Sequence, residues 1–376
     1  MRKFTCLAIL VPFVLAACGE EGKSEPDDGL IFNVPRLETS NGPSILDDPT
    51  ADRGGFSGLC AKMQLYCNEQ CLTAVGEQAG NCTLLQLNIG TAESIAVDAV
   101  NLYYTAAASE ILKMDLATGE HSSLVTGLRN PGALYPTSGV LYFGNNPPSS
   151  DNASDVRVLF VGRPDVTVLT EHLGTVFDLF LSADTLLVGA GAFDKGPLYS
   201  APKNGGRWSA FSAPEILHFE VSGETVVFSM STASESGIFA TTIASPNSYT
   251  QVCGGDPTGD PISDFFVEGD FAYWFASKAI NTARAYTRVS LSGGQKQEIQ
   301  NAGSGILLAH NAGYTFYADT EPGMPGNIIM IPIGGGEATL LGTYESNELQ
   351  AAAADDAHLY VALGYARDGG IVRFDL

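Results

Sequence analysis

An apolar triplet returns about every 43 residues along this chain, and this repeat constrains the fold more than any other feature of the sequence. Each triplet follows a short polar turn. The seven triplets are Leu102-Tyr103-Tyr104, Leu141-Tyr142-Phe143, Leu186-Leu187-Val188, Val226-Val227-Phe228, Ala272-Tyr273-Trp274, Thr315-Phe316-Tyr317 and Leu359-Tyr360-Val361. Their first residues lie 39, 45, 40, 46, 43 and 44 positions apart, which is too regular for unrelated loops.

A second strand-like run and a turn precede several triplets, as in Ile95-Ala96-Val97-Asp98-Ala99. A hydrophobic run, an Asp or Gly turn and an aromatic run together predict a β-hairpin. Glycine turns follow later in several units, at Gly119, Gly205-Gly206, Gly293-Gly294 and Gly334-Gly335-Gly336. Each unit therefore predicts three or four short antiparallel strands, a content and length typical of a β-propeller blade.

The two ends of the repeat region predict how the ring closes. The seventh unit ends with its third strand, at Ile371 to Leu376, and an otherwise unpaired strand, Thr83 to Leu87, precedes the first unit. Pairing these two strands would complete the last blade and remove exposed edges. The sequence thus predicts an all-β, seven-bladed propeller over residues 83–376, closed by an N-terminal strand. Two β-sandwich domains are the alternative, but they do not explain the even spacing.

Charge excludes one class of function. The chain of 376 residues has 19 Lys and Arg against 42 Asp and Glu, for a net charge of -23. Such a chain repels nucleic acids and anionic lipid headgroups over long range, so nucleic-acid binding has no electrostatic basis.

The N-terminus predicts an exported lipoprotein. Residues 1–17 combine the basic Arg2 and Lys3 with an apolar run too short to span a bilayer, which is typical of a signal peptide. The run ends in Leu15-Ala16-Ala17-Cys18, which resembles the bacterial lipobox, with Cys18 as the lipidated residue. Gly19 follows, and the resemblance then implies the outer membrane, on its periplasmic or surface side. An ordinary secretory signal is the alternative.

Two segments separate the lipid from the propeller. Residues 18–53 contain the lipidated Cys18 and a stretch with nine acidic and three basic side chains and several prolines, which predicts a disordered acidic tether. Residues 54–82 predict a small Cys-rich, partly helical segment, because Leu59 to Val75 contains good helix formers.

Five cysteines remain in the predicted mature chain after Cys18, and export makes all of them disulfide candidates: Cys60, Cys67, Cys71, Cys82 and Cys253. On a helix, Cys60 and Cys67 would lie about 10 Å apart, too far for a bond. Either the helix breaks near Asn68, or the partners come from elsewhere. The connectivity stays open, and Cys253 either is free or replaces one of the others. A zinc site is the competing interpretation, but the C-x-x-C spacing it favours is absent.

Residues 94–145 resemble the YWTD-type β-propeller repeat, through Ala96-Val97-Asp98-Ala99, Leu102-Tyr103-Tyr104-Thr105, Ile111 to Leu116, and Gly127-Leu128-Arg129-Asn130-Pro131. Tyr273-Trp274-Phe275 is a second partial match. Similar units occur in bacterial extracytoplasmic lipoproteins, including those of myxobacteria. The resemblance implies a six-bladed ring, whereas seven units are present here, and it implies interaction with other molecules more than chemistry.

Motifs for chemistry are sparse. The five histidines, His121, His172, His218, His310 and His358, form no local metal-binding pair, and G-x-S-x-G is absent. Aspartates recur near the hairpins, at Asp98, Asp184, Asp270, Asp319 and Asp355 or Asp356. They predict Asx turns, with Ca²⁺ or a catalytic divalent ion at one mouth of the channel as the alternative. Asp151 to Asp155 lacks the glycine and glutamate of a calcium loop, so we expect a solvated insertion there.

These observations predict a lipid-anchored envelope protein whose propeller binds a protein or a glycan without catalysis. We expect no catalytic residue, no resident metal and no cofactor, with Ca²⁺ as the exception to test. A metal-dependent hydrolase or lactonase with carboxylates in the central funnel is the alternative, and a purely structural envelope component is a third class.

Overall fold

The computed structural model describes residues 65–376 except 69, 148–153, 164, 193–194, 212–214, 233, 256–260, 278–283, 304, 320–324, 345–348 and 365–368. All described residues belong to one compact unit. The predicted signal peptide, Cys18, the tether and Cys60 lie outside the described residues. Every secondary-structure element within the described residues is a β-strand. No helix among the described residues has the length and apolar character needed to cross a membrane.

Four strands precede the first complete blade: β1 (Leu65–Cys67), β2 (Gln70–Leu72), β3 (Gln78–Ala79) and β4 (Cys82–Leu87). Blades one, two and three follow as four-stranded antiparallel sheets. Their strands are β5 (Ile95–Val97), β6 (Asn101–Ala106), β7 (Glu110–Asp115), β8 (His121–Val125), β9 (Pro131–Thr137), β10 (Val140–Asn145), β11 (Ser154–Phe160), β12 (Val166–Leu173), β13 (Thr175–Ser182), β14 (Thr185–Gly191), β15 (Leu198–Pro202) and β16 (Ser209–Ala210).

Blades four to seven repeat the same outward strand order. Their strands are β17 (Ile216–Ser222), β18 (Thr225–Ser231), β19 (Ser236–Thr242), β20 (Thr250–Gly254), β21 (Phe266–Glu268), β22 (Phe271–Ser277), β23 (Arg284–Ser290), β24 (Gln297–Asn301), β25 (Ile306–His310), β26 (Tyr314–Asp319), β27 (Gly326–Pro332), β28 (Thr339–Tyr344), β29 (Leu349–Ala354), β30 (His358–Leu363) and β31 (Gly370–Asp375). The first strand of each blade borders the centre of the ring.

The chain is a seven-bladed β-propeller closed by its N-terminal strand, as the sequence predicted. β4 pairs antiparallel with β31, with Leu84 opposite Val372 and Cys82 opposite Phe374. β4 is thereby the fourth strand of blade seven, whose other three strands come from the C-terminal side. Seven blades confirm the count of repeat units and correct the six that the resemblance to YWTD propellers implied.

The hydrophobic core consists of seven clusters, one between each pair of neighbouring blades. All residues of the seven triplets are buried. Tyr103 packs against blade two, whereas Leu102 and Tyr104 on either side of it pack against blade seven. The second strand of a blade is covered by a neighbouring blade on each face. Because successive side chains of a strand point to opposite faces, such a strand needs consecutive apolar residues.

The predicted glycine turns join the third and fourth strands of the blades. Gly205 and Gly206 have φ values of 86° and 135°, and Gly293 and Gly294 have 87° and 133°. These values lie in the region that side chains with a Cβ rarely adopt, so the paired glycines mark the turns.

The helix expected from Leu59 to Val75 is wrong for the described part of that segment. β1 and β2 form a hairpin, with the turn at Asn68, where φ is 47°. β1 also pairs with the edge of blade six, where Cys67 lies opposite Tyr344. Helix propensity is a weak preference, and pairing with an open sheet edge outweighs it here.

Covalent and polar contacts attach this hairpin to two blades. A disulfide joins Cys67 to Cys82 at the start of β4, with their Cα atoms 6.6 Å apart, and Cys71 is also disulfide-bonded. The Asn68 side chain donates to the backbone oxygen of Ala79 at 2.7 Å, and its Oδ1 accepts from the backbone N–H of Thr343 at 3.1 Å. The segment thus links the outer edges of blades six and seven.

The remaining disulfide candidate lies elsewhere. Cys253 is on β20, where it is buried in the cluster between blades four and five, next to Ile238 and Trp274.

Candidate functional site

A groove of about 830 Å³ lies between blade seven and blade one. It opens on the side of the ring that carries the turns between first and second strands and between third and fourth strands, which we call the first-turn face. The lining residues are Leu85, Val97, Asp98, Ala99, Met114, Leu116, Ala117, Thr118, Gly119, Ala354, Asp355, Asp356, Ala357, His358, Tyr360 and Arg373. Its volume is that of a typical ligand pocket.

The wall from blade seven is built around Asp355. Its Oδ1 accepts hydrogen bonds from the backbone N–H groups of Ala357 and His358, both at 2.8 Å, which shape the turn between β29 and β30. Its Oδ2 accepts from the Tyr360 hydroxyl at 2.9 Å. The carboxylate of Asp355 therefore fixes both the turn and the side chain of Tyr360 on β30.

The wall from blade one repeats this arrangement around Asp98. Its Oδ1 accepts from the backbone N–H groups of Val100 and Asn101, both at 2.8 Å, and its Oδ2 accepts from the Tyr103 hydroxyl at 3.0 Å. The predicted Asx turns are thus confirmed at Asp98 and Asp355. The shared pattern is an Asp, two turn residues, Asn or His, one apolar residue and Tyr.

Ionisable groups surround the carboxylate of Asp355. His358 Nδ1 lies 3.2 Å from Asp355 Oδ1, and Arg373 Nε lies 2.9 Å from Asp375 Oδ1. Partial burial favours the neutral carboxyl of Asp355, but hydrogen bonds from Ala357, Tyr360 and His358 outweigh it and lower its pKa. Burial and the same carboxylate raise the pKa of Tyr360. Asp355 is therefore anionic and Tyr360 a hydrogen-bond donor at neutral pH.

Four apolar side chains line the groove between its two walls, and we call them its floor. Val97, Met114 and Leu116 come from blade one, and Leu85 comes from the closing strand β4. Met114 is almost fully buried, whereas the other three are half-buried. β4, the strand that closes the ring, therefore supplies part of this floor. Sequence reasoning named Asp98 and Asp355 or Asp356 but had no signal that places these residues on facing walls.

A second polar cluster lies on the innermost strands of blades three and four. His218 Nδ1 lies 3.1 Å from Asp178 Oδ2, and His218 Nε2 lies 3.5 Å from Glu220 Oε1. A β-bulge falls directly before Asp178 on β13 and directly before His218 on β17. Bulges redirect side chains, and here they turn the two partners towards each other across the blade boundary.

The two inner histidines differ in charge. Burial opposes the charged form of His218, but the carboxylates of Asp178 and Glu220 outweigh it and hold its pKa well above the ordinary value. His310, on β25, stacks on the ring of Phe266 with centroids 4.3 Å apart, and burial lowers its pKa. At neutral pH, His218 is therefore charged and His310 neutral.

The other predicted residues are dispersed. The hydroxyl of Tyr104 lies 2.8 Å from His121 Nδ1, His172 is exposed on the outer strand β12, and exposed Asp184 pairs with Lys203. Asp270 is exposed in the first turn of blade five, and Asp319 ends β26. The solvated insertion expected at Asp151 to Asp155 is wrong for its described residues, because Ser154 and Asp155 are buried at the start of β11, where Asp155 pairs with Arg157. Residues 151–153 lie outside the described residues.

Metal ligation was the alternative role for these aspartates. Within the part of the chain that the structure describes, no three His, Cys, Asp or Glu side chains are arranged to hold a metal ion. Both oxygens of Asp98 and of Asp355 accept hydrogen bonds from the protein itself.

Exposed apolar side chains also occur on the first-turn face. Val100 is 58% exposed in the first turn of blade one, and its backbone oxygen accepts from Leu116 of the groove. Phe160, at the end of the third strand of blade two, is 47% exposed. Tyr314, at the start of the second strand of blade six, is 37% exposed. All three lie on blades next to the groove or one blade further.

Comparisons with known proteins support the fold. No protein-family model matches the sequence, and no curated protein matches it. Among solved structures, hydrazine synthase of Kuenenia stuttgartiensis is similar over 76% of this chain and 96% of that chain, with 13% identity and a TM-score of 0.56. YCF48 bound to D1 peptide is similar over 84% and 98%, with 9% identity and a TM-score of 0.54.

A third similar structure is the computationally designed Ika8 protein, matched over 77% of this chain and 97% of that chain, with 14% identity and a TM-score of 0.50. At these identities the likeness shows the fold alone. The class of protein defined by the fold is the seven-bladed β-propeller.

Proposed function

We propose that this chain is a lipid-anchored protein of the bacterial cell envelope whose propeller binds another macromolecule without catalysis. The observation that carries the proposal is the groove between blades seven and one, an apolar floor between two polar walls. Such a combination of apolar area with a few placed polar groups is typical of binding sites.

The polar groups of the groove favour binding over chemistry. The carboxylates of Asp98 and Asp355 hold their own turns and the hydroxyls of Tyr103 and Tyr360. A general base or nucleophile directs a lone pair at a substrate, whereas most of the acceptor capacity of these carboxylates is directed at their own turns and hydroxyls. These carboxylates therefore support the walls of a site and give them negative charge.

A protein is favoured over a glycan as the bound molecule. Glycans stack on exposed aromatic rings, but the tyrosines beside this groove, Tyr103 and Tyr360, are buried between blades. Val100, which directly follows the lining residues Asp98 and Ala99 and is 58% exposed, is aliphatic. YCF48, a propeller of similar fold, is bound to D1 peptide. That complex is an example of a propeller that holds a peptide.

Metal-dependent hydrolysis was the alternative, and no set of described side chains favours it. Elemental analysis of the purified protein tests this point. We expect no divalent ion at one per chain, and a stoichiometric ion that survives dialysis would overturn the non-catalytic account.

The anchor is tested at Cys18. Cells that express the protein and are fed radiolabelled palmitate should label the wild type and not the Cys18→Ala variant. Equal labelling of both would contradict lipidation at Cys18, whatever the propeller binds.

Binding is tested in living cells with a photoreactive amino acid at Ala117, an exposed residue that lines the groove. Ser109 is the matched control, because it is exposed on the same blade but in the turn on the opposite side of the ring. We expect a discrete protein adduct from Ala117 and none from Ser109. Absence of adducts from Ala117 and from first-turn positions on all other blades would contradict the proposed function.

A further inference from the structure

We propose that the groove between blades seven and one takes a short basic peptide segment with aliphatic side chains, presented by a protein partner. This inference rests on the proposed function and names the class of ligand that the groove recognises.

Negative charge lines the groove. Three carboxylates, those of Asp98, Asp355 and Asp356, stand against one guanidinium and one imidazole, those of Arg373 and His358. That guanidinium already has a partner, because its Nε lies 2.9 Å from Asp375 Oδ1. Asp356 is exposed at the rim, where its charge is open to an arriving ligand. Complementary charge favours a ligand with Lys or Arg side chains.

The charge of the rest of the chain points the same way. The net charge of -23 attracts a cationic partner over long range and repels an anionic one. It also disfavours two other occupants of the groove. A second copy of the chain carries the same charge, and the tether segment, residues 19–53, has nine acidic against three basic residues.

The floor selects for apolar side chains between the basic ones. Leu85, Val97 and Leu116 are half-buried and face the groove with Met114, whose flexible thioether side chain adapts to different shapes. Exposed Val100 directly follows the lining residues Asp98 and Ala99 in the first turn of blade one and adds an apolar side chain beside the groove. A ligand with aliphatic side chains would bury this surface, which stabilises the complex in proportion to the area removed from water.

The size of the groove sets the length of the segment. About 830 Å³ falls within the range of pockets that enclose small ligands, and it suits a few residues of a partner, not a whole domain face. The turns at Asp98 and Asp355 are braced by hydrogen bonds to tyrosines, so the walls are preformed and little ordering is required on binding.

Fluorescence polarisation with two labelled eight-residue peptides tests the inference. One peptide alternates arginine and leucine, and the other alternates glutamate and leucine. The protein is the full chain with Cys18→Ser, which removes the predicted lipid acceptor, and it is purified and measured in a neutral detergent because the apolar run of residues 1–17 is still present. We expect saturable binding of the arginine peptide, weakened by salt, and at least tenfold weaker binding of the glutamate peptide.

Charge reversal at the rim locates the binding. Asp356→Lys should weaken binding of the arginine peptide about fivefold, because an exposed charge pair is worth up to about 1 kcal/mol. Asp270→Lys is the matched control, since Asp270 is exposed in the first turn of blade five on the same face. It should leave the affinity within about twofold of wild type.

A second pair of variants tests the apolar component. Val100→Ser removes an exposed aliphatic side chain from the first turn of blade one, next to the lining residues Asp98 and Ala99, and should weaken binding about threefold. Val168→Ser removes one of comparable exposure on the outer strand of blade two and should change nothing. Both substitutions replace exposed residues, so the variants should fold like wild type.

Three results would overturn the inference: no saturable binding of the arginine peptide up to about 1 mM, equal affinity for the two peptides, or equal weakening by Asp356→Lys and Asp270→Lys. The last would mean that binding reports overall charge. If photo-crosslinking from Ala117 succeeds while the peptide experiment gives any of these results, the ligand class is wrong and the proposed binding function stands. If both fail, both are wrong.

Discussion

Two clusters in this propeller contain the same groups, an imidazole between two carboxylates, yet they differ in what they join. His218 lies between Asp178 on blade three and Glu220 on its own strand, so its contacts cross a blade boundary. His358 lies between Asp355 and Asp375, which belong to its own blade. Beside His358 the boundary with blade one stays open as the groove.

The difference shows how one repeat unit serves two purposes. Where the polar side chains of neighbouring blades meet, as at Asp178 and His218, they close the boundary and stabilise the ring. Where each blade satisfies its own polar groups within its first turn, as at Asp98 and Asp355, the boundary keeps a cavity with preformed walls. The boundary between blade one and blade seven, the blade that the closing strand completes, thus keeps an open groove.

The largest effect is expected from removing the disulfide that holds the closing strand. Replacing both Cys67 and Cys82 with Ser should destabilise the protein by about 3 kcal/mol, the cost of releasing a loop of about 15 residues. Urea unfolding without reductant measures it. The control is Val75→Ser, an exposed substitution in the same segment, which should be neutral. Equal stability of the double variant and wild type would show that β4 holds its place without the covalent link.

The next effect distinguishes the two clusters. Asp178→Ala should destabilise by about 2 kcal/mol, because it leaves the partly buried His218 without its closest partner. Asp355→Ala should cost about 1 kcal/mol through loss of the turn, and Asp355→Asn should recover most of this, since an amide oxygen accepts the same backbone N–H bonds. A larger loss in Asp355→Ala than in Asp178→Ala, measured by urea unfolding, would reverse the comparison.

The smallest expected effect is a change in how stability depends on pH. The folded-state pKa of His218 is raised, so its contribution is complete below about pH 6.5 and is lost as the pH rises through the folded-state pKa. The folded-state pKa of His310 is lowered, so its cost appears as the pH falls below about 6.5.

Two variants separate these opposite signs. His218→Gln should flatten the alkaline side of the stability profile, and His310→Phe, which preserves the stacking on Phe266, should flatten the acid side. Thermal unfolding across the pH range measures both. A profile in which His218→Gln changes only the acid side would mean that His218 is neutral in the folded protein.

Much of the fold could be predicted from the sequence because the second strand of each blade is buried on both faces. A strand buried on both faces needs consecutive apolar residues, as in Leu102-Tyr103-Tyr104, whereas a strand with one exposed face does not. The closing strand was predictable for a related reason, since Thr83 to Leu87 had no partner nearby in sequence while the last unit lacked one strand. The first-turn aspartates were predictable from local turn chemistry at Asp98 and Asp355.

The rest depends on contacts between distant parts of the chain. The β1–β2 hairpin depends on the open edge of blade six and on the disulfide from Cys67 to Cys82. Local helix propensity contains no information about either contact. Asp178 and His218 occupy equivalent places in consecutive repeat units, a signal that could have paired them. The groove needed Leu85 from β4 beside Met114 and Leu116, and only the closed ring places them together.

Hydrogen–deuterium exchange of the full chain, with and without the arginine–leucine peptide, shows where on the propeller the ligand binds. We predict slower exchange in the turns at Asp98–Asn101, Leu116–Gly119 and Asp355–His358, with no change in the first turn of blade five. Protection confined to β13 and β17, around Asp178 and His218, would place the ligand at the inner cluster and contradict the account.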